Sequence, residues 1–477
     1  MGHYIPGDLS AASERDAIGT KVIRGVFEEL LHFSLAEFVE GTVGNLLGIS
    51  RGAFLIAMFV GLLGVLWSMI PNLPLFAFAW IVGTAPLWIL PASVAGGWKA
   101  WSWYVQSYFI SNKKGILLEV KMPRELVKSP RAMETVLSNL WIDQGETTFF
   151  HRKWKGQVRP IFSLEIASFG GQVHFYIWVW ETHKKIMEAS VYAQYPEVEL
   201  VEVEDYATKF IYDPKKIDCY AQDYRYEPRN DAYPIKTYIE FELEKDPKEE
   251  YKIDPLAEIL EFMGNIHPEE QVWVQIVFTV NKDVRKKPGG KWFETQDRYI
   301  GLVQDETVAI RKEAVGNVIG PENEWKRSVR VQYYRQTEQI RALERNMSKH
   351  PFNVGVRGVY IAEKEVFSSQ HIFAVKWLMR PFGNPQFMNQ LRPRRWHTPF
   401  DYPHQDLWDM RWDLHSRRFF DCYRRRAHFY SPYVLPHNMM STEVIATLWH
   451  PPASAIKTPG IERIPAKKAS PPPNLPT

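Results

Sequence analysis

Apolar and polar positions are spread very unevenly along this chain. Between Arg51 and Lys99 there is no Asp, Glu, Lys, Arg or His, so residues 52–98 form an uncharged run. As one helix the run would measure roughly 70 Å at ~1.5 Å per residue, about twice the ~30 Å hydrocarbon thickness of a bilayer. Two passes of ~20 residues and a turn fit better, and Pro71-Asn72-Leu73-Pro74 supplies the turn. The pattern predicts a transmembrane helical hairpin, its first pass running from Ala53 through Phe54 to Ile70 and its second from Leu75 to Ala95, with Pro86 and Pro91 kinking or shortening the second. Arg15, Lys21, Arg24 and Arg51 precede the first pass and Lys99, Lys113 and Lys114 follow the second, while the turn carries no cation. That distribution predicts a multi-pass protein of the inner (cytoplasmic) membrane, both termini cytoplasmic and the lipid bilayer its first partner. Trp98, Trp101, Trp103 and Tyr104 cluster where the second pass would leave the lipid, as in an interfacial aromatic belt. Ahead of the hairpin, Ile18, Val22, Ile23, Val26, Phe27, Leu30 and Leu31 recur at helical spacing and predict an amphipathic helix.

Beyond residue 110 the period alternates between two and 3.6. Strand patterns at 115–121, 160–168, 173–179 and 198–203 enclose helical patterns at 130–142 and 184–194, and Gly170-Gly171 joins the middle strands as a hairpin. The order βαββαβ predicts a ferredoxin-like domain. A looser copy follows, with strands at 235–243, 272–280 and 353–361, helices at 254–264, 325–348 and 367–379, and a charged Pro/Gly-rich surface loop within 281–300. The predicted fold class is therefore an α+β membrane protein: an N-terminal transmembrane helical hairpin, one or two ferredoxin-like cytosolic domains and an extended basic C-terminal arm. The expected divisions are 1–50, an amphipathic region; 51–110, the hairpin; 111–210 and 211–380, the α/β domains; and 381–477, the arm, a short helix and a Pro-rich tail.

Composition bounds the chemistry. With 477 residues, 45% hydrophobic and 24% charged, the chain is neither disordered nor a disulfide scaffold, and Cys219 and Cys422 lie in no metal-ligand spacing. The net charge of +3 conceals segregation, since residues 381–477 hold 13 Lys/Arg against 7 Asp/Glu. In that stretch Arg394-Arg395, Arg417-Arg418 and Arg424-Arg425-Arg426 alternate with aromatic residues, a composition able to hold phosphates and stack bases. The bland alternative is an arm pinned to its own domains by Arg–Asp pairs, because Asp401, Asp406, Asp409, Asp413 and Asp421 are interspersed. No GxxxxGK[ST] loop, GxSxG elbow or HExxH helix occurs, and His397, His404, His415 and His428 lack compact ligand spacing. The sequence thus predicts no catalytic residue, cofactor or metal.

The words of the C-terminal part carry a resemblance. RRFFDCYRRRAHFYSPYVLPHNMMSTEVIATLWHPP, then TPGIERIPAKKASPPPNLP, resembles the region just ahead of the motor in membrane-anchored conjugation and type IV secretion ATPases of the HerA/FtsK class. FSLEIASFGGQVHFYIWVWETHKKIMEASVYAQYPEVELVEVEDY is similar to the matching part of such proteins from small-genome candidate-phyla bacteria. The resemblance spans residues 110–477 and excludes the motor. It implies a non-catalytic membrane-anchored component of a DNA-transfer machine that tethers or docks a separately encoded cytosolic ATPase. Ser441, Glu443 and Trp449 would then be partner contacts, alongside Arg394, Arg395, Arg417, Arg418, Arg424, Arg425 and Arg426. The alternative is a nucleic-acid-binding module that grips DNA with the arginine-rich arm; a second copy of the chain is a further expected partner.

Overall fold

The strongest local signal, the two glycines after Phe169, turns the chain by backbone freedom alone. Gly170 and Gly171 adopt φ of 58° and 87°, the positive values that a two-residue hairpin turn demands at both central positions. Phe169 is thereby set opposite Gln172, which fixes the register of the strands on either side.

The structure is a computed structural model that describes residues 72–124, 126, 128–142, 148–244, 254–315, 334–397, 406–453, 460–461 and 463–464, with positions 60, 61, 64 and 68. The elements run α1 (Leu73–Ser111), β1 (Gly115–Pro123), α2 (Pro130–Asn139), α3 (Phe149–Lys153), β2 (Phe162–Phe169), β3 (Gln172–Trp180), α4 (Lys184–Gln194), β4 (Glu199–Val203), α5 (Tyr206–Lys209) and β5 (Ile217–Glu227). They continue with α6 (Leu256–Gly264), β6 (Glu270–Val280), β7 (Val284–Lys286), β8 (Thr295–Asp297), α7 (Arg298–Val315), α8 (Tyr334–Met347), β9 (Pro351–Glu363), α9 (Ser369–Lys376) and β10 (Gln390–Arg395). Last come α10 (Met410–Arg424), β11 (Asn438–Ser441), α11 (Thr442–Leu448) and β12 (Arg463–Ile464). The chain divides into two compact units, residues 1–97 with 399–410 and residues 98–398 with 411–477. All the strands among the described residues belong to the second.

Ten strands form one sheet, in the order β10-β5-β9-β6-β2-β3-β1-β12, with β4 also on β1 and β11 on β9. Every pairing is antiparallel except β1 with β12. The order β4-β1-β3-β2 is repeated as β10-β5-β9-β6, and β2 and β6 join the two sets from Phe162 opposite Phe278 to Phe169 opposite Gln271. The expected separate ferredoxin-like domains are therefore corrected to a single sheet. Within it, the strand expected at 235–243 is a series of turns. Ile235, Tyr238 and Leu243 are buried while Glu240 and Phe241 both donate backbone N–H to Thr237, so an alternating sequence winds instead of extending. β5 takes the strand's place. Its polar Gln222 hid it from pattern reading, yet that side chain is buried and donates to the Val375 carbonyl at 2.6 Å.

Both sheet faces are covered. On one, α2, α4, α6, α9 and α11 bury Met133, Met187, Leu260, Val375 and Ile445 against strand residues such as Ile166, Val274 and Val356. On the other, Phe419 and Tyr423 of α10 meet Trp273, Val359 and Ile361. The expected extended arm is likewise corrected. Residues 390–448 supply a sheet strand, the helix that covers one face, a strand on β9 and a helix buried at every position.

The hairpin reading is also overturned. Among the described residues no single helix is long and apolar enough to cross a membrane, and the stretch from Phe78 to Ser111 bends by 55° between Leu87 and Ile89. Pro86 and Pro91 lie inside α1, where each lacks the amide that would bond the preceding turn. Leu75 and Ala95 are exposed residues of this helix, whereas Phe54, Ile70 and the amphipathic segment before them lie outside the described residues. The inner-membrane, multi-pass localisation that rested on this segment falls with it. Of the clustered aromatic residues, Trp98 and Trp101 are exposed; Trp98 packs on Phe149 and Trp154, and Trp101 packs on Trp154 and donates its Nε1–H to the Lys153 carbonyl at 3.0 Å.

Phe278 tests the seam. It is fully buried, with the Phe162 and Phe352 rings 5.5 and 5.4 Å away. Phe278→Ala should lower stability by about 3–5 kcal/mol in urea unfolding, with amide-exchange protection falling together in β3 and β5. Loss confined to one of those strands would mean that the two sets fold independently.

Candidate functional site

A cleft of about 620 Å³ opens where the end of α1 and β3 meet the chain just after α10. Its walls include Trp103, Ser107 and Lys113 from α1 and its exit, Trp178 and Trp180 from β3, Asp205 ahead of α5, and Asp421, Arg424, Arg425, Arg426, Tyr430 and Tyr433. The sequence pattern places the rim arginines. Asp421 lies three and four residues before Arg424 and Arg425, on one face of a helix, and accepts from both at 3.0 and 2.9 Å. The Tyr433 hydroxyl is a third donor to the same carboxylate, at 2.8 Å. Burial alone would raise the Asp421 carboxyl, but the bonds from Arg425, Tyr433 and Arg424 outweigh it and hold the group below its usual 3.8. Lys113 lies over the Phe109 ring at 4.8 Å and the Trp180 ring at 5.9 Å. The rim thus sets three cations against one carboxylate.

The floor is of another kind. Arg426 is only 1% exposed and adopts φ of 50°, a left-handed backbone that costs ~1–2 kcal/mol for a residue with a Cβ. Its guanidinium donates to Glu165 on β2 at 3.0 and 3.1 Å and to Asp205, which also caps α5 through the Ala207 N–H. Burial disfavours the charged guanidinium, yet the two carboxylates more than offset this and its pKa rises. Glu165 is satisfied further by Ser163, Gln275 and the Tyr206 hydroxyl, which faces the Tyr423 hydroxyl at 2.8 Å. The Arg426 guanidinium also lies 5.4 Å from the centre of the Trp178 ring. His428 adds no charge, because burial and then the neighbouring Arg357 pull its pKa far down.

Of the arginines singled out by sequence, Arg424, Arg425 and Arg426 converge on the cleft. Arg417 and Arg418 are exposed on α10, the first paired with Asp413 and the second 5.7 Å from the Tyr433 ring centre. Arg394 and Arg395 belong to β10, and Arg394 is exposed there, away from the residues that line the cleft. Trp103 lines it and is half exposed, whereas Tyr104 stacks on Tyr108 along α1. Ser441, Glu443 and Trp449 are buried. Glu443 accepts from Thr237 at 2.6 Å and Arg345 at 3.0 Å, and Trp449 donates to the Glu165 carbonyl at 3.2 Å. Their side chains are spent on the chain's own core. Sequence reasoning missed Glu165, Asp205 and Trp178 as parts of this site, since no local spacing links them to Arg426.

Among the described residues, no group of three or more His, Cys, Asp and Glu side chains is arranged to hold a metal ion. His397 and Ser416 come within 2.8 Å, a nucleophile–base distance. However, the His397 Nδ1 accepts from the Ala221 N–H at 3.1 Å, and burial pulls the ring down to about 3. The proton of the neutral ring therefore sits on Nε2, which donates to the serine and cannot take its proton.

The buried charge network has a direct test. Arg426→Met leaves Glu165 without its counter-ion and should cost about 3–5 kcal/mol in denaturant unfolding. Adding Glu165→Gln should recover a substantial part of that loss. A single Arg426→Met change with no measurable cost would show that the pair does not anchor this segment.

The sequence matches no protein-family model and no curated protein, so the site is read from its own geometry.

Proposed function

We propose that this chain is a nucleic-acid-binding module, doing no catalysis through the residues described above, of a DNA-transfer machine of the kind its sequence resembles. The observation that carries the reading is the cleft rim, where Lys113, Arg424 and Arg425 meet one carboxylate beside the exposed Trp103 ring. Cations beside rings are the two parts that single-strand binding uses: phosphates take the charge and unpaired bases stack on the aromatic faces. A cleft of about 620 Å³ is of ordinary ligand-site size, ~300–1,000 Å³, which suits a short stretch of one strand.

The burial of Glu443 and Trp449 weighs against docking a partner through the 441–449 segment. The order of the two readings is therefore reversed. Strand binding becomes the leading one, and the arginines act at their own surface instead of in an extended arm.

Binding of this kind weakens with salt, because each phosphate contact releases condensed counterions. For single strands the slope of log K against log salt is ~0.7 per contact. Fluorescence anisotropy with labelled poly-dT should show a linear decline, and Arg424→Gln with Arg425→Gln should reduce the slope by about 1.4. Asp421→Asn, which frees the same two guanidinium groups, should tighten binding. No binding at low salt, or an unchanged slope in the double variant, would overturn the assignment.

A further inference from the structure

The β7–β8 hairpin forms a two-stranded sheet of its own, separate from the ten-stranded one. At its tip Trp292 and Phe293 are 78% and 83% exposed, with ring centroids 4.9 Å apart and planes at 65°. Two large rings so exposed contribute nothing to a core. The tip is nevertheless well built. Lys287 N–H donates to the Glu294 carbonyl at 3.0 Å, Gly290 N–H to the Lys287 carbonyl at 3.1 Å and Glu294 N–H to the Lys291 carbonyl at 2.9 Å. The Lys287 ammonium meets the Glu294 carboxylate at 2.6 Å, and Gly289 takes the left-handed φ of 72° that the turn needs. Arg285 pins the base of the hairpin to Asp305 of α7 at 2.7 Å. The rings are thus held outward on a braced support, so ordering them on a ligand costs little entropy.

Charge selects the ligand. Lys286, Lys287 and Lys291 are exposed around the rings, and Glu294 is the one acidic residue of the tip. A neutral apolar partner would gain nothing from these cations, whereas a polyanion with flat apolar groups uses both. We infer that the tip is a second contact for single-stranded nucleic acid: bases stack on Trp292 and Phe293 while Lys286 and Lys291 take the flanking phosphates. The inference rests on the strand-binding reading of the cleft and extends it, giving the chain two contacts able to hold one strand at separated points.

The test uses the full chain with short poly-dT, sufficient for the cleft alone, and long poly-dT, sufficient for both sites. Trp292→Ala with Phe293→Ala should weaken binding of the long strand about tenfold or more, through lost stacking, and leave the short strand and the salt slope unchanged. Lys286→Gln with Lys291→Gln should instead lower the salt slope on the long strand by about 1.4. All four side chains are exposed, so the variants should unfold in urea like the parent. If the parent binds both strands and the Trp292/Phe293 variant binds the long one equally well, the tip inference fails and the cleft reading stands. If the parent binds neither strand, both fail. Tip-dependent binding to phosphatidylglycerol vesicles with no tip dependence on oligonucleotide would overturn the inference in favour of a lipid surface.

Discussion

Burying a guanidinium costs several kcal/mol unless its charge is matched, and Arg426 is matched on two sides, by Glu165 from β2 and by Asp205 from the cap of α5. Those partners lie 261 and 221 residues away in sequence. The pairing therefore fixes a late segment of the chain on a sheet built much earlier. Once Arg426 is held, the two residues before it have little freedom, and Arg424 and Arg425 come to rest on the rim with Asp421 between them. The cleft is a consequence of that anchor. Its floor is a saturated ion network that takes no ligand, while its rim keeps cations in excess of carboxylates.

The sheet makes the anchor possible. β2 sits at the middle of ten strands because its far edge pairs with β6, and Glu165 is consequently covered on both sides. With β2 as an edge strand the carboxylate would have met water and the Arg426 pair would have been a weak surface contact. Two four-strand sets joined edge to edge thus do more than enlarge a core, since the junction creates the dry environment in which a three-residue charge network is rigid. α10 then covers this face with Phe419 and Tyr423, and the Tyr423 hydroxyl meets Tyr206 beside the same carboxylate.

Local features were legible in the sequence and long-range ones were not. The Gly170-Gly171 hairpin depends on a spacing of two residues and follows from the chain alone, whereas the pairing of Asp421 with Arg424 and Arg425 needs the helix α10, which the extended-arm reading did not expect. β5 did not, because Gln222 reads as loop until the Val375 carbonyl arrives to accept from it. Residues 235–243 alternate like a strand, yet their buried side chains fall at turn spacing. The uncharged run misled most. Counting charges finds apolar length but not span, whereas Pro86 and Pro91 do flank the bend between Leu87 and Ile89. Buried polar residues such as Glu443, attractive as partner contacts by wording, are core once Arg345 and Thr237 are in place.

The central claim is that the rim above Arg426 holds a nucleic-acid strand, and the most direct measurement is where such a strand touches the protein. Ultraviolet cross-linking of bromodeoxyuridine-substituted oligonucleotide to the full chain, followed by peptide mapping, reads this without any substitution. Cross-linked peptides should contain Trp103 or lie within residues 424–433. Attachment confined to β10 around Arg394, or no attachment at low salt, would contradict the account.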